Sequence, residues 1–206
     1  MKSNNLVKDA IALFMITLIA GLLLGMVYEV TKSPIAKAEY DAKQEAYKKV
    51  FPSADTFEEE DSLDKLSKSK ENFTDDPSIT GVFIDEVLIA KDKNKNQIGY
   101  VMSIGSKEGY GGEIKLSIGV DKTGTVTGME VLSMSETAGL GANCTTDEFK
   151  SQFKGIKNSK IVYTKEGKSK DNEIDALSGA TITTKAVTKA VNNALAFVYA
   201  NGEIEQ

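Results

Sequence analysis

Residues 175–184 read Asp-Ala-Leu-Ser-Gly-Ala-Thr-Ile-Thr-Thr, a carboxylate followed by four hydroxyls around a small Gly-Ala pair, directly ahead of an amphipathic run. Hydroxyls do nucleophilic chemistry when a base activates them, and this chain has no histidine at all. Activation of the Ser-His-Asp or Cys-His kind is thereby excluded. The third residue after Ser178 is Thr181 rather than lysine, so the serine–lysine hydrolase geometry is missing too. Two readings of the cluster remain. One of Ser178, Thr181, Thr183 and Thr184 caps a helix, satisfying backbone N–H groups. Alternatively the helix start binds a phosphate, with Gly179 and Ala180 letting the ligand approach the backbone closely. The single cysteine, Cys144, cannot make an intrachain disulfide or hold an iron–sulfur or thiolate zinc site alone. With no histidine or basic cluster beside it to lower its pKa, it reads as a packing residue.

The element that must position the hydroxyls is a helix from about residue 183 to residue 200. Its stripe of Val187, Ala190, Val191, Ala194, Leu195 and Val198 faces a core, and Asn201-Gly202 stops it. What it packs on is written upstream as period-two alternation: 82–90, 98–104, then 113–121, where Ile114, Leu116, Ile118 and Val120 share one face. Asp121-Lys122-Thr123-Gly124 is a turn, and 126–132 returns as the partner strand of a hairpin. Thr145 and Glu148 have the spacing of a capping box for a short helix burying Phe149 and Phe153, and Ile161-Val162-Tyr163 reads as another strand. The expected fold class is α+β, a mixed, partly antiparallel sheet with flanking helices.

Residues 10–28 are uncharged throughout, and as a helix they span about 28 Å, close to the hydrocarbon thickness of a bilayer. The run exceeds a usual signal-peptide core and lacks a small-residue cleavage pattern directly after it, which favours a retained anchor. Residues 34–50 open with proline and are rich in helix formers, predicting a separate stalk helix that ends at Phe51-Pro52. The division is thus a short N-terminal segment (1–9), a transmembrane helix (10–28), a stalk (29–52), a charged variable surface segment with at most a short helix (53–78) and a folded domain (79–206). A net charge of −5, with lysines scattered rather than clustered among aromatics, argues against nucleic acid as a partner.

In this order the pieces resemble a known family, the FMN-binding domain found in the G subunit of Rnf electron-transport complexes and shared with the C subunit of the sodium-pumping NADH:quinone reductases. Asp175-Ala-Leu-Ser178-Gly-Ala-Thr181 is similar to the family's flavinylation signature. GYGGEIKLSIGVDKTGTVTGMEVLSMSETAGLG, residues 109–141, resembles its glycine-rich strand and hairpin followed by an S-E-T-P-G-L-G loop. The early apolar helix, Phe51-Pro52 and the short chain look more like the Rnf protein than like its longer quinone-reductase relative. Ala138 departs from the pattern, standing where the family usually has proline, which would loosen the loop without removing a reactive group.

The resemblance implies that Thr181 carries FMN through the cofactor's phosphate, attached by a separate flavin transferase. It implies that Asp175, Ser178, Gly179 and Ala180 are read as the acceptor signal, and that Thr183 and Thr184 serve phosphate contact and helix capping. Tyr110 and Leu140 are the expected packing residues for the ring, with Gly109, Gly111 and Gly112 permitting close backbone approach. Glu136 and Thr137 are the expected polar groups, Glu136 lowering the flavin's potential by like-charge repulsion. The function implied is that of a membrane-anchored electron-transfer subunit of an Rnf-type ferredoxin:NAD+ oxidoreductase complex coupled to ion translocation, with no independent catalysis. Its partners would be the complex's other membrane and iron–sulfur or flavin subunits, together with lipid. The chain would cross a bacterial cell membrane once, with its soluble domain on the extracytoplasmic side. A helix without internal charge offers no ion path, so translocation is expected of those partners. Two alternatives stand beside this: the equivalent C subunit of the quinone reductase, and a noncatalytic anchored scaffold in which the hydroxyls only cap a helix.

Overall fold

The computed structural model describes residues 3–69, 72–74 and 76–201. The chain divides into two units, Met1–Ala42 and Lys43–Gln206. A single helix, α1 (Ser3–Val50), runs through the boundary with Pro34 inside it, where the sequence predicts two helices. Proline is a permitted first residue of a helix, and inside one it removes a ladder hydrogen bond and crowds the carbonyl four residues back, a cost of about 3 kcal/mol that good helix formers on both sides can carry. The apolar part of α1 is long enough to cross a membrane and none of it is buried, which makes it a candidate span.

Lys43–Gln206 is built on a five-stranded sheet of β1 (Thr56–Glu59), β2 (Val82–Lys91), β3 (Gln97–Gly109), β4 (Gly112–Asp121) and β5 (Val126–Ser133), in that spatial order. Every neighbouring pair is antiparallel. Residues 53–78, expected to be a surface excursion, contribute β1 and a short helix, α2 (Asp61–Ser67). β1 is four residues long, too short for alternation to show, and its register against β2 (Phe57 opposite Ala90) is what makes it a strand. Beyond the sheet lie α3 (Asp147–Ser151), the parallel pair β6 (Val162–Thr164) and β7 (Glu173–Asp175), and α4 (Thr181–Asn201). The fold is α+β, with the parallel pairing confined to β6–β7.

Alternation on the central strands translates directly into burial. Ile114, Leu116, Ile118 and Val120 are fully buried, and Met102, Ile104 and Met129 stand beside them across the register. The α4 stripe closes over this face, with Val187, Val191, Leu195 and Val198 wholly inaccessible. On the opposite face a second cluster joins Leu88, Ala90 and Val101 to Tyr47, Val50 and Phe51, the end of α1. There Thr127 Oγ1 donates to the Val50 carbonyl at 2.5 Å, and Tyr47 donates its hydroxyl to Glu86, which also receives Lys43 at 2.7 Å.

Polar ties fix α4 along its length. Lys189 pairs with Glu108 at the end of β3 at 2.6 Å. Asn193 Oδ1 accepts from the Phe73 N–H at 2.7 Å. Asn192 clamps the entry to β6 with both ends of its amide, accepting from Ile161 N at 2.7 Å and donating to Ile161 O at 2.8 Å. Asn192→Leu keeps the branched outline but strands both peptide groups in a buried site. It is expected to cost about 2–4 kcal/mol, read as a lower urea midpoint with unchanged slope.

Candidate functional site

Two starts shift once the backbone is seen. α3 begins one residue later than the capping box predicts: Thr146 is the N-cap, accepting from Phe149 N at 3.4 Å. Thr145 is consumed by the 3-10 turn Gly141–Thr145 and donates to Ala142 O at 2.8 Å. α4 begins at Thr181 rather than Thr183. The turn before it is made by Gly179, whose φ of 71° favours glycine, and closed by Ala180 N donating to Leu177 O at 3.1 Å. Thr184 locks that turn, its hydroxyl accepting from Leu177 N and donating to Ala180 O, both at 3.0 Å. Thr184 is fully buried, so its hydroxyl serves the fold.

Thr183 is also buried, and its hydroxyl donates to Glu136 Oε2 at 2.7 Å. Glu136 Oε1 accepts from Gly111 N at 3.1 Å. One carboxylate thus joins the β3–β4 hairpin tip, the loop after β5 and the first turn of α4. Gly111 and Gly141 serve that joint. A Cβ at Gly111 would collide with the Ser135 carbonyl, and one at Gly141 would stand 2.5 Å from Thr183 Oγ1. The close backbone approach expected of the glycine-rich hairpin is therefore spent, at Gly111, on the loop itself. That loop turns at Ala138-Gly139, with Gly139 at φ 76° and Leu140 N donating to Thr137 O at 3.1 Å. Ala138 occupies the second turn position, where proline is favoured because its φ is pre-set. The turn forms with alanine there.

These contacts leave a cavity of about 460 Å³. Of the residues expected at a site, Tyr110, Glu136, Thr137, Leu140, Gly179, Ala180, Thr181 and Thr183 line it. Gly141 and Ile182 line it as well and lie outside the expected set. Ile182 has a sequence signal, an apolar residue off the α4 stripe; Gly141 has its place in the SETAGLG loop. Tyr110 is 70% exposed, Ile182 53% and Leu140 44%, an apolar rim around a half-buried Thr181.

Asp175 and Ser178 are not in this cavity. They line a separate one of about 540 Å³ against α3. Asp175 is held from several sides: its N–H donates to Gln152 Oε1, and its carboxylate accepts from Lys168 N, both at 2.6 Å.

A cavity of ligand size with an apolar rim and a few fixed polar groups suits a planar cofactor with a polar tail, and the class comes from the family match: residues 109–196 match the FMN-binding domain family. The relatives narrow this further. The chain is 32% identical over 91% of its length, and 92% of the relative's, to the G subunit of the proton-translocating ferredoxin:NAD+ oxidoreductase complex of Clostridium ljungdahlii. It is 31% identical to the G subunit of the ion-translocating oxidoreductase complex of Methanosarcina acetivorans, covering 96% of this chain and 97% of that one. With the G subunit of the Na+-translocating ferredoxin:NAD+ oxidoreductase complex of Acetobacterium woodii it shares 32% identity, over 94% and 91%. A crystal structure of the C subunit of Na+-translocating NADH-quinone reductase from Parabacteroides distasonis is similar at 29% identity and a TM-score of 0.49, over 58% of this chain and 63% of that one. The chain belongs to the Rnf G-subunit family of ion-translocating oxidoreductase complexes.

Cys144 lies in the 3-10 turn behind the Glu136 joint, fully buried. Burial first, then the negative charge of Glu136, pushes its thiol from 9.0 up to about 11. The folded thiol keeps its proton where the unfolded one loses it, so its contribution to stability falls as pH rises from about 9 through about 11. Native protein at pH 8 is expected to be inert to a thiol reagent and to react fully in denaturant; rapid native labelling would contradict this.

Proposed function

We propose that this chain is the membrane-anchored electron-transfer subunit of an ion-translocating ferredoxin:NAD+ oxidoreductase complex, carrying FMN joined through its phosphate to Thr181. The observation that carries the reading is the position of Thr181: half-exposed at the first residue of α4, on the wall of the apolar-rimmed cavity. The similarity to relatives so named extends over nearly the whole chain. When bound, FMN supplies the redox chemistry, and this chain supplies binding and orientation. Tyr110, Leu140 and Ile182 cover apolar surface and exclude water, while the exposed Thr137 hydroxyl is free to meet a polar chain. Glu136, its oxygens engaged by Gly111 and Thr183, keeps a fixed negative charge at the cavity wall.

Among the described residues the carboxylate that lines the Thr181 cavity is Glu136, already engaged by Gly111 and Thr183, so attachment is the work of a separate flavin transferase using a donor with a phosphoanhydride. The Thr181 oxygen would bond to the FMN phosphorus as the anhydride P–O bond breaks, the donor's other phosphate leaving as its monoester and the hydroxyl proton passing to the transferase's base. Asp175, Ser178, Gly179 and Ala180 act as its acceptor signal. The finished phosphodiester keeps the flavin in place between turnovers, as a relay requires. The other redox and membrane subunits of the complex give and take the electrons, and they move the ion, since residues 10–28 carry no charge. Lipid surrounds the apolar part of α1, and the soluble domain lies on the extracytoplasmic side of the membrane.

The turn is locked by Thr184 and the loop joint by Thr183 rather than by Thr181, so Thr181→Ala is expected to fold normally. Chain coproduced with a flavin transferase is expected to fluoresce on a denaturing gel under ultraviolet light, and Thr181→Ala to be dark. A wild-type band without fluorescence and without an FMN adduct in its intact mass would sink the linkage. For topology, protease added to intact spheroplasts is expected to digest the soluble domain; complete protection would place it inside instead.

A further inference from the structure

Thr181 lines a second cavity besides the apolar-rimmed one. It measures about 380 Å³ and is walled by Lys165, Ala176, Leu177, Ser178, Gly179 and Thr181. The two cavities share only Gly179 and Thr181, so a group on the Thr181 oxygen has two directions open to it.

Charge separates them. The first cavity contains the Glu136 carboxylate, whose oxygens already accept from Gly111 and Thr183. The buried Thr183 hydroxyl, given to Glu136, has no proton left for a phosphate. The second cavity has no carboxylate in its wall and holds one cation, Lys165, with the exposed hydroxyl of Ser178. Among the described residues Lys165 is exposed and engages no acid. Its place beside the motif is built in. It follows β6 directly, and the β6–β7 register sets Thr164 opposite Asp175, with Ala176 N donating to Thr164 O at 2.8 Å. The parallel pair therefore runs the lysine alongside residues 176–179.

We propose that the phosphodiester on Thr181 lies in the Lys165 cavity, with Lys165 as its positioning cation, while the flavin ring occupies the cavity of Tyr110, Leu140 and Glu136. This rests on the Thr181 linkage proposed above. A diester carries one negative charge, which Glu136 repels and Lys165 attracts. An ammonium on a flexible stem, with three donors, meets phosphate oxygens without demanding a fixed fork geometry. Gly179 puts no side chain between the two.

The test uses the full chain coproduced with a flavin transferase. Lys165→Met is expected to slow FMN incorporation at least threefold, Lys165→Glu to slow it more, and Lys165→Arg to restore it to within twofold of wild type. The phosphorus NMR resonance of the attached diester is expected to shift in Lys165→Met at unchanged melting temperature. Lys185→Met, which removes an exposed lysine one turn into α4 that lines neither cavity, is expected to match wild type in both measurements. Wild-type loading at Thr181 with rate and resonance indifferent to Lys165 overturns this inference alone. A wild-type chain that acquires no adduct at Thr181 overturns the linkage, and this inference with it.

Discussion

The burial of α4 against the central strands decides where every other part of the site can be. Val187, Val191, Leu195 and Val198 leave water completely against Ile114, Leu116, Ile118 and Val120, each worth about 1.5–3 kcal/mol. That contact is nonspecific in direction, and the polar ties supply the register: Lys189 to Glu108, Asn192 to Ile161, Asn193 to Phe73. With the helix fixed in rotation and along its axis, its first residue is fixed as well. The position of Thr181 is thus a consequence of core packing some turns away.

Around that first residue, the structure concentrates three elements on one carboxylate. Hydrogen bonds to a charged group are worth about 1.5–3 kcal/mol each, and Glu136 takes one from a backbone N–H and one from a hydroxyl. The small residues nearby follow from this: Gly111 and Gly141 are where the loop presses closest. Ile182 and Leu140 line the cavity beside these contacts and stay exposed.

Much of the fold is legible from period alone. The alternation in 113–121 and the α4 stripe both become the two sides of one core, because a half-buried strand and an amphipathic helix have only one way to hide their apolar faces. What escapes is held by partners distant in sequence. β1 and β7 are four and three residues long, and only pairing makes them strands. Pro34 is compatible with either a helix start or a helix interior, and the sequence cannot choose. At the site, residue types and order bring Thr181, Glu136, Tyr110 and Leu140 to attention together. They do not separate Asp175 and Ser178 from the cavity, since that depends on the sense of the Gly179 turn. Thr184 does carry a signal of its structural role: it falls three and seven residues before Val187 and Val191, on the core-facing stripe.

The last turns of α1 serve two masters. Lys43, Tyr47 and Val50 belong to the helix that begins in the apolar segment, yet they cover the sheet's second face together with Phe51. The last turns of α1 are therefore part of the folded unit that begins at Lys43. A protease that sheds the domain intact must cut ahead of Lys43, and a cut at Phe51-Pro52 would uncover Leu88, Ala90 and Val101 to water. A chain cut there would carry an exposed apolar sheet face, the kind of surface that drives aggregation.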